Sequence, residues 1–148
     1  MNRFSQMQAA PRTARGRKLF SVRQANRALV LVRPIVTNIV DEYSKVLEIQ
    51  EMLELAQRHG SVQYINRLQN DMATSVSRIQ GYLDELDQVG VELRDLARGL
   101  VDFPSRMDGR DVCLCWQLGE PGVSYWYERG SSLAARRPVA ELAETPQK

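Results

Sequence analysis

Large apolar side chains return every three or four residues from Val22 through Ala25, Leu29, Val32, Val36, Ile39, Tyr43 and Val46 to Leu53. That spacing keeps them on one stripe of a helix. Ser21 and Gln24 form a capping box at its start, the Ser hydroxyl accepting from the Gln24 backbone N–H and the Gln side chain reaching back to Ser21. The pattern predicts a helix from Ser21 to His59, with Gly60 as a left-handed stop. Pro34 lies inside it and removes one backbone hydrogen bond beside the carbonyl of Val30, so a kink is expected there. Ser61 caps a second helix with Val62, Ile65, Met72, Val76, Ile79, Leu83 and Leu86 on its stripe, and Gly90 ends it. At the helical rise the two would be about 57 Å and about 40 Å long. They form an antiparallel hairpin whose first helix overhangs the second and leaves its N-terminal apolar half to cover something else.

After Gly99 the period falls from about 3.6 to 2. Leu100 to Phe103, Val112 to Leu118 and Val123 to Tyr127 read as three strands, with Asp108-Gly109 as the first turn and Gly119 to Gly122 as the second. The middle strand alternates Val112, Leu114, Trp116 and Leu118 with Cys113, Cys115 and Gln117, and the first set is expected to face the helices. Three strands need such a cover to be stable. The fold class read from the sequence is therefore α+β: a long antiparallel helical hairpin over 21–59 and 61–89, then a small three-stranded antiparallel β-meander within 99–128. At 148 residues the chain suits one domain, assigned to 19–139, with a flexible basic arm at 1–18 and a flexible tail at 140–148.

Charge divides the chain more sharply than its near-neutral sum implies. The first forty residues hold Arg3, Arg12, Arg15, Arg17, Lys18, Arg23, Arg27 and Arg33 with no acidic residue, whereas the chain from Asp41 onward is net acidic. A basic arm on an acidic body reads either as a solvated tail or as a contact for a polyanion such as nucleic acid. Arg23 and Arg27 sit where the helix dipole disfavours positive charge, and the acidic run Asp84, Glu85, Asp87 at the end of the second helix could pair with them; a bound anion is the rival account. No apolar run reaches the roughly 18–20 residues a membrane span needs, since Arg33 and Pro34 interrupt ALVLVRPIVTNIV. With no secretory apolar region either, a cytoplasmic location is expected. Cys113 and Cys115, two apart on a strand, are expected as reduced thiols.

Taken together, LFSVRQANRALVLVRPIV, GVELRDLARGLVDFP and DGRDVCLCWQLGE followed by YWY resemble, in order, a bacterial family catalogued only as domain of unknown function 2203. The resemblance runs from Phe20 to about Val139. It implies the helical hairpin followed by strands and carries no activity with it. It also implies shared polar positions at Asp95, Asp102, Arg110, Cys115, Trp116, Glu120 and Arg136. Members usually read Trp-His where this chain has Trp126-Tyr127, and a glycine-containing segment where it has Leu133-Ala134-Ala135-Arg136. A role resting on that histidine as a ligand or general base is lost here, since Tyr127 donates a hydrogen bond but rarely does either job at neutral pH.

The candidate ligand-binding residues are Asp102, Arg110, Cys115, Trp116, Glu120 and Arg136. Asp102, Arg110 and Glu120 could converge at the strand ends on a small polar ligand, or Arg110 could pair with Asp102 or Glu120 and set the hairpin register. Asp102, Glu120, Cys115 and Cys113 are all zinc-ligating types, but their spacing matches no metal signature, so neither metal nor cofactor is expected. His59 lies at the helix turn, Trp116 and Trp126 suit packing or ring stacking, and the tyrosines of the helices suit packing. The chain has no phosphate-cradling glycine loop, nucleophile elbow or paired-His motif, which leans away from an enzyme. Two near-heptad helices expose more apolar surface than one small sheet covers. The reading is thus a protein-interaction or scaffold module that self-associates as a homodimer or binds another protein, with a ligand- or metal-binding domain as the alternative.

Overall fold

The computed structural model describes residues 18–131 and 135–141. The assigned basic arm, Lys18 apart, and residues 142–148 of the assigned tail lie outside the described residues, and so does any nucleic-acid contact through that arm. The chain forms α1 (Val22–His59), α2 (Val62–Val89), β1 (Glu92–Asp95), β2 (Leu100–Met107), β3 (Arg110–Gln117), β4 (Tyr125–Glu128) and β5 (Arg137–Pro138), closing on a 3-10 turn at Val139–Glu141. The strands make one antiparallel sheet in sequence order.

Helix α1 begins as its capping residues require: Ser21 accepts from the Gln24 N–H at 3.1 Å while Gln24 accepts from the Ser21 N–H at 2.9 Å. Its buried stripe is Ala25, Leu29, Val32, Val36, Ile39, Val46 and Ala56, with Glu42 as a buried acid in the same row. Glu42 Oε2 is paired with Arg78 of α2 at 3.4 Å and with Lys45 of its own helix at 3.6 Å, a polar clasp beside an apolar seam. The helix continues through Pro34 as a single element. Gly60 corrects one expectation, because its φ of −87° is extended rather than left-handed. Glycine is needed there for closeness, since a Cβ would stand 2.7 Å from the Ala56 carbonyl oxygen. Gly90 does adopt the left-handed conformation at φ 97° and donates to Leu86 and Asp87.

The sheet has five strands where the sequence predicts three. The segment 91–96 alternates Val91, Leu93 and Leu96 inside with Glu92 and Arg94 outside, and it begins one residue after a helix cap, so its short period is masked by the helix before it. β5 is two residues long, too short for any period to register. β2 also runs past Phe103 to Met107 despite Pro104. β1 pairs only as far as Asp102, which leaves the far half of β2 an open edge where a missing N–H costs no ladder bond. Residue 20 covers that edge: the Phe20 N–H donates to the Pro104 carbonyl at 2.7 Å and its carbonyl accepts from Ser105 Oγ at 2.6 Å.

The inner sheet face carries Val101, Phe103, Val112, Leu114, Trp116 and Trp126 into one core with the α1 and α2 stripes. Phe20 meets Phe103 edge to face, ring centroids 5.2 Å apart. Gly99, at φ 67°, turns the chain into β2 against α1; a Cβ there would come within 2.9 Å of both Val36 and Leu118 side chains. The β3–β4 connection is held on α1 by Asn26, which accepts from the Val123 N–H at 2.8 Å, and by Arg33, which donates to the Pro121 carbonyl at 3.4 Å. No helix among the described residues is long and apolar enough to cross a membrane.

Candidate functional site

The outer sheet face is set by the same alternation. Asp102 on β2 stands opposite Cys115 on β3, which stands opposite Tyr125 on β4; one pair further along, Pro104, Cys113 and Tyr127 share that face. Cys113, Cys115 and Tyr127 form a small buried cluster separate from the main core, with Tyr125 packed against it.

Asp102 is 1% exposed and is the most buried acid of the fold. Its Oδ2 accepts from the Tyr127 hydroxyl and from Arg94 Nε, the latter at 3.0 Å. Its Oδ1 is buried without a hydrogen-bond partner among the described residues. Burial raises the Asp102 pKa from its ordinary 3.8 to about 6, against the hydrogen bond from Tyr127 and the charge of Arg94, which both lower it. Burial and the adjacent Asp102 push the Tyr127 phenol well above its ordinary range. The same two causes push the Cys113 thiol up to about 12, and burial raises Cys115 against the opposing hydrogen bond from Arg136. Both thiols are free and fully protonated near neutrality.

A second network closes the end of this face. Glu120 Oε1 accepts from the Gln117 N–H at 2.9 Å and its Oε2 accepts from Arg136 Nη2 at 2.8 Å. The Arg136 guanidinium lies 4.1 Å from the Tyr125 ring centroid and points Nη1 at Cys115 Sγ, 3.6 Å away. The Glu120 carbonyl accepts from Trp116 Nε1 at 2.9 Å. Glu120 therefore ties the β3–β4 turn both to the core tryptophan and to the segment leading into β5.

These contacts divide the six candidate residues. Asp102, Cys115, Glu120 and Arg136 belong to the outer face and its end. Trp116 points into the core on the opposite side of the sheet. Arg110 sits beside the β2–β3 turn, paired in register with Met107, and its partner is Glu128 at 3.0 Å, neither Asp102 nor Glu120. The expected convergence of Asp102, Arg110 and Glu120 is therefore replaced by three separate ion pairs. Among the described residues no group of three or more His, Cys, Asp or Glu is gathered closely enough to hold a metal ion, so Asp102, Glu120, Cys113 and Cys115 do not assemble as ligands. Asp95 accepts from the Ala97 and Arg98 N–H groups and shapes the turn before β2.

Across the whole folded unit, residues 18–139 match the model of a family described as uncharacterised conserved proteins, domain of unknown function 2203. The chain belongs to this family. No curated protein and no solved structure matches it. In this member of domain of unknown function 2203, Tyr127 donates its hydroxyl to Asp102. Sequence reasoning missed Arg94, the other partner of Asp102, although the alternation Val91, Glu92, Leu93, Arg94 was the available signal. It also missed Arg129 and Glu92, which pair at 3.8 Å.

Proposed function

We propose that this protein is a non-enzymatic, cytoplasmic protein-interaction or scaffold module that self-associates as a homodimer through its helical hairpin. The observation that carries this reading is where large apolar side chains meet solvent. Val30, Leu31, Leu47, Met52, Leu55, Val62 and Tyr64 are all on α1 and α2, Leu19 immediately precedes them, and no residue of the sheet joins them. Val30 and Val62 are 77% and 73% exposed. Scattered apolar residues are ordinary on a protein surface, but their confinement to one element, in two groups at its two ends, supports a contact surface. The outer sheet face supports no comparable role, because its charges are matched by partners of this chain. Its protonated thiols are poor nucleophiles and ligands at neutral pH.

One observation favours a second reading, a small-ligand site at the outer face: the unpartnered Oδ1 of Asp102, a buried acceptor awaiting a donor. Native mass spectrometry of the full chain, purified without chelator, separates the two. A species of twice the chain mass with nothing added supports the module. A monomer carrying additional mass overturns it in favour of the ligand site.

A further inference from the structure

Between the N-terminal half of α1 and the C-terminal end of α2 lies a groove of about 850 Å³. Phe20, Ala28, Ile35 and Val89 supply apolar lining, while Arg27 and Glu85 stand on opposite sides. Val30, Leu31 and Pro34 form its α1 rim and project into solvent. We infer that this groove and its rim are the contact surface of a two-fold dimer, in which the Val30–Leu31 ridge of each copy seats in the groove of the other. The inference rests on the self-association proposed above and names the surface that performs it.

Three features point to a second copy of this chain as the occupant. First, ridge and hole are contiguous on one patch. A two-fold interface brings the same patch together with itself, so a surface that carries both a projection and a matching hollow satisfies it with no other surface required. The exposed Val30 and Leu31, 77% and 60% accessible, are the size and chemistry the apolar lining accepts.

Second, the charges are self-complementary. Arg27 and Glu85 have opposite signs, and neither makes an ion pair within this chain among the described residues, although the sequence had suggested pairing between these two ends. Each also sits near the helix end that its charge disfavours: α1 has no acidic residue in its first turn and α2 no basic residue in its last. Across a two-fold axis the Arg27 of one copy meets the Glu85 of the other, twice, and each finds a countercharge that the described residues of its own chain do not give it.

Third, Pro34 has no N–H, so the Val30 carbonyl loses its helical donor at the centre of the exposed ridge. Gln24 and Gln88, on the two walls of the groove, carry the side-chain donors that a partner copy would bring to it. Facing water, that carbonyl is hydrated; beneath a partner it needs a protein donor, which Gln24 or Gln88 of the other copy would supply.

Charge reversal tests this surface, with sedimentation velocity of the full chain as the readout. Arg27→Glu and Glu85→Arg are each expected to weaken the dimer by about tenfold or more, and mixing the two variants in equal amounts is expected to restore it, because the like charges of each variant become opposite pairs in the mixed dimer. Both positions are exposed, and unchanged circular dichroism of each variant checks that the fold is kept. Leu31→Glu is expected to abolish the dimer, and Leu55→Glu at the far end of the hairpin to leave it intact. A wild-type dimer that survives Arg27→Glu, Glu85→Arg and Leu31→Glu, or that is lost only in Leu55→Glu, overturns this surface while self-association stands. A wild-type chain that is monomeric at every concentration overturns self-association itself.

Discussion

The Tyr127 hydroxyl donates to Asp102 Oδ2 from two strands away, across the buried thiol of Cys113 and beside the guanidinium of Arg94. This pair is the least exposed polar contact of the outer sheet face, and it explains how a carboxylate is kept in a place that water does not reach.

Removing the hydroxyl leaves one oxygen of Asp102 with Arg94 alone and the other still unpartnered. Tyr127→Phe is expected to cost about 1–3 kcal/mol of stability, the range for unmaking a buried hydrogen bond to a charged group. It is also expected to raise the Asp102 pKa further above its value of about 6, because the hydrogen bond is among the influences holding it down. Urea unfolding of both proteins at neutral pH measures the first effect, and carboxyl-carbon titration by NMR the second.

Asp102 gives stability a definite pH dependence. Its pKa is raised on folding from 3.8 to about 6, so the folded state holds this proton more tightly than the unfolded one. The resulting stabilisation is full below about 3.8 and is lost as pH rises through about 6. Asp102→Asn has no such proton, so the difference in urea midpoint between variant and wild type is expected to move in favour of the variant from pH 4 to pH 7. A difference that does not change with pH contradicts the raised pKa.

Cys113 and Cys115 are buried and their thiols are pushed above the ordinary cysteine range. Both are expected to react with an aromatic disulfide reagent at pH 8 far more slowly than free cysteine, and at ordinary rates once the protein is unfolded in guanidinium. Fast labelling of the native chain would show that the outer face opens readily.

Gly99 combines a left-handed backbone with two side chains 2.9 Å from where its Cβ would be. Gly99→Ala is therefore expected to destabilise by about 2 kcal/mol or more, beyond the cost of conformation alone. Gly60 has an ordinary φ, but a Cβ there would stand 2.7 Å from the Ala56 carbonyl oxygen, a backbone atom that cannot swing away, so its alanine variant is expected to destabilise as well, through the clash alone. Thermal unfolding of the two variants side by side gives the comparison.

The helices were legible because each carried several agreeing signals: capping residues Ser21, Gln24 and Ser61, long stripes, and Gly90 at a left-handed end. The strands carried fewer. β2, β3 and β4 showed their alternation and turn, while β1 was hidden between a helix cap and a turn and β5 was too short to show a period. The inward set of β3 was readable, but partners across the sheet were not. Arg110 lies beside the Asp108-Gly109 turn in the sequence, yet its pairing with Glu128 depends on the register of β4, which is set by how the 118–124 connection docks on Asn26 and Arg33 of α1. Arg94 meets Asp102 only because β1 pairs with β2 and its register shifts between Leu93 and Asp95. Candidate residues chosen by type were therefore separated by topology into a core tryptophan, a turn-end ion pair and the outer-face networks.

The central claim is that the hairpin makes this chain a self-associating module. Sedimentation equilibrium of the untagged full-length protein over a range of micromolar concentrations tests it most directly. A monomer–dimer equilibrium with the dimer dominant is the expected result. A single species of monomer mass at every concentration would contradict it.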